Sequence, residues 1–287
     1  MTVPKIKYLT NKDLLKEIHL SKNTYCSYTL PEHGFYDLIV PSLAKINIRT
    51  IAEAKRNCAA RHSKQAHEAA VIAGGKKLPA KEFEIDYKKI RKEDLIFRVM
   101  TFEHVPLAPG RKKTLKNTAD SHEKVNFPPF QHWKHDDKGN LICVGKSHWR
   151  GDLNKGEFSK DHGQMTNDLA RMFIKLCERY ATRGNVRGYT YNEEMRGQAI
   201  LQLTQIGLQF DESKSDNPFA YYTAAVTNSF VRIINIEKRN QNIRDDILEM
   251  NGMNPSWTRQ NSANGSPMAP GIVTTTTSVD GTGSDWD

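Results

Sequence analysis

The chain has 287 residues, of which 38% are hydrophobic and 26% charged, and it carries a formal net charge of +9. That length allows one or two domains with substantial cores. No run approaches the ~20 apolar residues of a membrane helix, MTVPKIKYLTNKDLLKEI lacks the apolar block of a secretory signal, and Cys26, Cys58, Cys143 and Cys177 show no paired spacing; these features argue against membrane, secreted and disulfide-stapled classes and for a reducing cytoplasm.

The charge is unevenly placed. Residues 45–135 hold 20 Lys and Arg against 10 Asp and Glu, whereas residues 136–287 hold 17 against 19. A basic block of this kind attracts phosphate polymers through counterion release, although a solvated surface has the same composition.

In chain order, residues 1–24 carry one short amphipathic helix, with Thr10 or Asn11 as cap and Leu14, Leu15 and Ile18 on one side. Residues 25–150 form a basic α/β-type segment of unknown fold. Within it, Ala44–Ala73 is rich in Ala, Lys, Arg and Gln and predicts a helix ended by Gly74-Gly75. The alternation of Phe83, Ile85 and Tyr87 predicts a strand, Leu95–Val105 a second buried strand, and Asp137-Lys138-Gly139-Asn140 a hairpin turn. Arg111-Lys112-Lys113 with Lys116 reads as a basic loop. His132, His135, Cys143 and His148 carry zinc-binding chemistry, but their spacing matches no zinc signature, and ordinary surface histidines are the preferred reading.

Arg150–Gly163 reads as a linker rich in Gly, Lys and Asp. Residues 151–249 are then helical. Met165, Leu169, Met172, Phe173, Leu176 and Tyr180 define an amphipathic helix. Thr190 and Glu193 have capping-box spacing at the start of the next one. Asn217-Pro218 caps and opens a third, and Phe210–Asp216 between them is too polar and turn-rich to be core. On the third helix Tyr222, Val226, Phe230 and Ile233 fall within about 40° of one line at ~100° per residue, opposite Asn228, Arg232, Asn235 and Arg239. Such amide and guanidinium groups match base edges and phosphates, and they fit a solvated face as well. Residues 250–287 are Gly-, Ser-, Thr- and Pro-rich and read as a disordered tail. No phosphate loop, nucleophile elbow or paired-carboxylate motif is present, so neither an enzyme nor a cofactor is expected.

Glu194-Met195-Arg196-Gly197-Gln198-Ala199, Phe210-Asp211 and Pro218-Phe219-Ala220-Tyr221-Tyr222 together resemble region 2 of the sigma-70 family, most closely the late-transcription sigma factors of T-even-type phages, cyanophage versions included. The likeness runs through Leu169–Tyr180, Tyr189–Asp211 and Asn217–Arg239, about a third of the chain, and Lys7-Tyr8 with Thr10–Leu15 is similar to the start of those proteins. It implies an α+β chain with a mainly helical, sigma region 2-like C-terminal domain. It also implies a polymerase specificity subunit of the host cytoplasm and nucleoid, with core bacterial RNA polymerase and a −10-like late promoter as partners. Glu194, Gly197, Gln198, Leu201 and Gln205 would then meet the coiled coil of the polymerase β′ subunit. Tyr221, Tyr222, Asn228, Arg232, Asn235, Lys238 and Arg239 would meet promoter DNA. The two adjacent Trp residues that housekeeping members place on this helix fall at Ala225 and Val226, so base stacking would pass to Tyr221 or Tyr222. A DNA sliding clamp and a late co-activator are further implied partners, the clamp through a C-terminal peptide ending Asp285-Trp286-Asp287. A polymerase-independent DNA-binding regulator and a genome-packaging protein are the alternative readings.

Overall fold

Residues 9–74, 79–109, 121–160 and 164–263 are described by the structure, a computed structural model. The chain is mixed α+β, and it divides into two compact units, Met1–Phe230 and Val231–Asp287. The boundaries expected near residues 24 and 150 do not coincide with that division. No helix among the described residues is long and apolar enough to cross a membrane.

The first unit begins with α1 (Asn11–Asn23), capped by the Thr10 hydroxyl oxygen, which accepts from the Asp13 N–H. It then builds a five-stranded sheet from β1 (Cys26–Tyr28), β2 (Leu38–Val40), β3 (Ile96–Met100), β4 (Phe130–His135) and β5 (Leu141–Ser147), in the order β1-β5-β4-β3-β2. Only β2 and β3 run parallel. A parallel pair needs a crossover, and α2 (Ile48–Gly74) lies on that connection. Its small residues Ala54, Cys58 and Ala59 let it sit close to Val40, Leu95, Phe97 and Val99. Asp37 ties the helix to the sheet: one carboxylate oxygen accepts from the Arg61 guanidinium at 2.8 Å, the other from the Ile96 N–H at 3.0 Å.

The β4–β5 hairpin forms as expected. Gly139 supplies its left-handed residue at φ 81°, and the Asp136 N–H donates to the Asn140 carbonyl at 2.8 Å. Two other expectations fail. Phe83, Ile85 and Tyr87 are in no strand; short 3₁₀ turns at Ala80–Phe83 and Tyr87–Lys89 replace it, because the Asp86 carboxylate takes the Lys88 N–H locally and offers the backbone an alternative to a ladder. The linker at 150–163 is also structured in part. It closes a small hairpin of β6 (Trp149–Arg150) and β7 (Glu157–Phe158), where the Asp152 carbonyl accepts from Gly156 N–H and from the Trp149 indole.

Three further helices follow: α3 (Asn167–Ala181), α4 (Asn192–Ile206) and α5 (Pro218–Met250). The apolar stripe of α3 is buried as its periodicity predicts. Phe173 meets Tyr222 edge-on at 4.7 Å and Tyr180 meets Phe230 at 4.9 Å, joining α3 to the first half of α5. Gly207 permits a close approach: a Cβ there would stand 2.7 Å from the Phe173 ring, and its carbonyl accepts from the Tyr222 hydroxyl at 2.5 Å. The Thr190–Glu193 capping box does not form. Asn192 donates its side-chain amide to the Ala181 and Val186 carbonyls, the helix starts there with no side-chain cap, and Glu193 pairs with Arg196 instead. Asn217 does cap α5, accepting from the Ala220 N–H at 3.1 Å.

In the second unit α5 runs on to Met250 and stops at Gly252 (φ 70°), where Met253 N–H reaches the Leu248 carbonyl and Gly252 N–H the Glu249 carbonyl, a Schellman ending. The chain turns back into α6 (Trp257–Ala263), anchored by Ser256, whose N–H and hydroxyl both donate to the buried Asp245 carboxylate. The tail expected to be disordered from residue 250 is therefore folded through Ala263. Asp285, Trp286 and Asp287 lie outside the described residues, as do Lys7-Tyr8, Arg111-Lys112-Lys113 and Lys116.

Candidate functional site

The α4 helix has two unlike sides. Met195, Ala199 and Leu203 are buried. Glu194, Gly197 and Gln205 are exposed, Gln198 is half-buried, and Leu201 keeps 58% of its surface in water. Leu208, just past the end of the helix at Gly207, is buried.

Along α5, Tyr222, Val226, Phe230 and Ile233 are buried and Asn228, Arg232, Asn235, Lys238 and Arg239 are exposed, as the wheel predicts. The two tyrosines separate. Tyr222 is fully buried against Phe173 with its hydroxyl committed to Gly207, and so is removed from any contact with DNA. Tyr221 remains partly exposed and packs edge-on against Phe210 at 5.6 Å.

The most concentrated chemistry in the first unit is a buried ionic cluster that sequence reasoning missed. Strand alternation sends Phe97 and Val99 toward α2 and Arg98 to the opposite face, where nothing of it is exposed. Its Nε donates to His132 Nε2 at 3.0 Å, across the β3–β4 register. Its Nη1 donates to Glu212 Oε2 at 2.6 Å and its Nη2 lies 3.2 Å from His19 Nδ1. The guanidinium plane is held between the Tyr36 ring at 3.9 Å and the Phe130 ring at 3.8 Å. Lys22 from α1 donates to the Phe210 carbonyl at 2.7 Å and stands 3.4 Å from Glu212 Oε1. The Phe210–Asp216 loop, expected to be solvated, thus inserts Phe210 and Glu212 into the interior. Glu212 resolves that expectation physically: a buried Arg and Lys need a carboxylate. The sequence signal was present as one Arg inside Ile96-Phe97-Arg98-Val99-Met100, an otherwise apolar strand.

Electrostatics follow from this packing. Burial alone would raise the Glu212 carboxyl, but Lys22 and Arg98 outweigh it and hold it below its ordinary range. Burial, with the Arg98 charge, drives the His132 imidazole well below its ordinary value, so it stays neutral, accepting at Nε2 and donating from Nδ1 to the His33 carbonyl at 2.7 Å. His148, buried beside Phe127, is pushed down to about 3, again mainly by burial.

The four metal candidates are not gathered. His132 belongs to the Arg98 cluster, His135 lies against Phe97 on the other sheet face, Cys143 donates to the Gly145 carbonyl, and His148 packs on Phe127. Three of them are buried histidines rather than the surface residues expected. No group of three or more His, Cys, Asp or Glu fit to hold a metal occurs among the described residues.

These histidines set a pH response. Unfolding frees His132 and His148 to protonate near pH 6.5 while the folded chain keeps them neutral, to about pH 3 for His148. The unfolded state then binds more protons in that window, and stability falls as pH drops below about 6.5, by up to ~1.4 kcal/mol per pH unit for each ring. Urea midpoints measured between pH 7.5 and pH 5 are expected to decline steadily; a flat profile would contradict the burial of these rings.

No family model, curated protein or solved structure matches the chain.

Proposed function

We propose that the chain is a sigma-type specificity subunit of a bacterial-type RNA polymerase, non-enzymatic, with α4 as its polymerase-docking helix and the exposed stripe of α5 as its promoter-reading face. The reading rests on the region 2 likeness of Glu194–Ala199, Phe210-Asp211 and Pro218–Tyr222. The observation that carries it further is Leu201, 58% exposed on a helix whose opposite side is buried. Leu201, open among Glu194, Gln198 and Gln205, supplies the apolar contact that a docking helix would use. On α5, Asn228, Arg232, Asn235, Lys238 and Arg239 supply bidentate and point-charge donors to bases and phosphates, with Tyr221 the aromatic available for stacking. Lys88, Lys89, Arg91 and Lys92 are exposed on the 3₁₀ turns before β3 and suit sequence-independent contact with flanking phosphates.

The decisive experiment is a pull-down with core RNA polymerase. Wild type should be retained, and Leu201→Asp should lose at least ~30-fold in affinity, as an interface anchor does, with an unchanged circular dichroism spectrum. Gln198→Lys should act in the same direction. Failure of the wild-type chain to bind core polymerase removes this reading and leaves the regulator that binds DNA unaided, which needs the α5 stripe but not Leu201. Within the sigma reading, Arg232→Ala or Arg239→Ala should weaken promoter binding by ~1–3 kcal/mol where a base contact is lost.

A further inference from the structure

The second unit carries an apolar face that no expectation anticipated. Ile236, Ile243, Ile247 and Met250 are between 44% and 86% exposed. At ~100° per residue the other three lie within about 40° of Ile236 along α5. With Asn240 they are spaced by four, three, four and three residues, the a/d repeat of a coiled-coil seam. α6 does not cover this seam. Its anchors on α5 are Gln241, Asp245, Asp246 and Glu249, which lie roughly 140°, 180°, 80° and 140° around the helix from Ile236, so α6 reaches the flank of the seam at Asp246 but not its apolar line.

We propose that this face pairs with the same face of a second copy of the chain, antiparallel. The flanking charges select that occupant and that orientation. An antiparallel pairing that sets Ile236 against the partner's Ile247 also sets Asn240 against the partner's Ile243. The same register then opposes Glu237 to the partner's Arg244 and Arg239 to the partner's Asp246, each occurring twice by symmetry. Opposite charges meet at all four flanking places, although at two of them Asp246 is already paired with Arg259 of its own chain, so the Glu237–Arg244 pairs carry the orientation. A parallel pairing would instead set Arg239 beside the partner's Arg244, a like-charge contact. Asn240, whose amide donates to the Glu237 carboxylate at 3.1 Å, places one polar residue in the seam, which fixes register and lowers affinity.

The paired seam runs from Ile236 to Ile247 and is short, ~17 Å at 1.5 Å per residue, so the dimer is a weak one, with Kd about 10–100 µM. Arg239 belongs both to this contact and to the proposed DNA stripe, so self-pairing and DNA binding oppose each other. The pairing itself stands independently of the polymerase reading.

Sedimentation equilibrium on the full chain over a concentration series tests it. The weight-average mass should rise from monomer toward dimer with concentration, and Ile243→Asp should abolish the rise. Glu237→Arg alone and Arg244→Glu alone should each weaken association about tenfold, since each change places like charges at two symmetry-related sites. The double variant Glu237→Arg with Arg244→Glu restores opposite charges in the antiparallel register and should recover wild-type association. A wild-type chain that stays monomeric throughout, or a double variant no better than the singles, overturns the proposal. Circular dichroism on each variant separates loss of pairing from loss of the helix.

Discussion

Replacing Glu212 by Ala should lower the unfolding free energy by about 3–5 kcal/mol, the largest effect expected of any single polar substitution in this chain. The reason is the company Glu212 keeps. It is the acidic partner of two interior cations, Arg98 at 2.6 Å and Lys22 at 3.4 Å, and neither cation can reach water without moving β3 or α1. Truncation leaves both charges desolvated and uncompensated. The size of the loss measures that orphaning rather than the worth of the ion pairs, because forming them already cost the desolvation of three charged groups. A triple variant, Lys22→Met with Arg98→Met and Glu212→Leu, should therefore recover most of the loss. Urea titrations on the three-member set decide the matter: a Glu212→Ala chain within ~1 kcal/mol of wild type would mean that the cluster is hydrated and not interior.

Phe230→Ala should cost a similar ~3–5 kcal/mol, here through a cavity. Phe230 is buried and meets Tyr180 of α3 at 4.9 Å, so deletion of its ring strips contacts from both helices at once. Its near neighbour Arg232 is exposed on the other side of α5, and Arg232→Ala should stay within ~0.5 kcal/mol of wild type in stability. Denaturation of the two variants side by side tests the assignment of faces, and equal damage from both would reverse it.

Much of the helical part was legible in the sequence because amphipathic periodicity depends on local spacing. The α3 stripe, the Asn217-Pro218 start of α5 and its two faces all follow from residues within a few turns of one another. The β4–β5 hairpin was legible for the same reason. What escaped depended on partners far along the chain. Glu212 reads as loop acid until Arg98 is known to sit beneath it, 114 residues earlier. The Thr190–Glu193 box has the correct spacing but loses to Asn192, whose carbonyl partners are Ala181 at the end of α3 and Val186 in the turn after it. The apolar line of α5 already separated Tyr222 from Tyr221, and what the sequence did not show is that Phe173 and Gly207 are the groups that enclose it. On α5 both faces lie where the wheel put them, Tyr222 included, and it is the DNA contact that the resemblance implied for Tyr222 that its burial excludes. The four metal candidates, grouped by proximity in sequence, do not converge.

The Arg98 cluster also constrains the order in which the protein can become stable. A ribosome releases α1, α2 and the whole five-stranded sheet before it has made residue 212, so for that interval the sheet carries Arg98, and α1 carries Lys22, with no carboxylate to neutralise them. During synthesis the N-terminal two-thirds of the chain should therefore be less stable than in the finished fold, by an amount comparable to the loss expected for Glu212→Ala. A product terminated before Glu212 should accordingly be a target for proteases, which makes the acidic loop a check that the downstream helices have arrived before the upstream sheet is sealed.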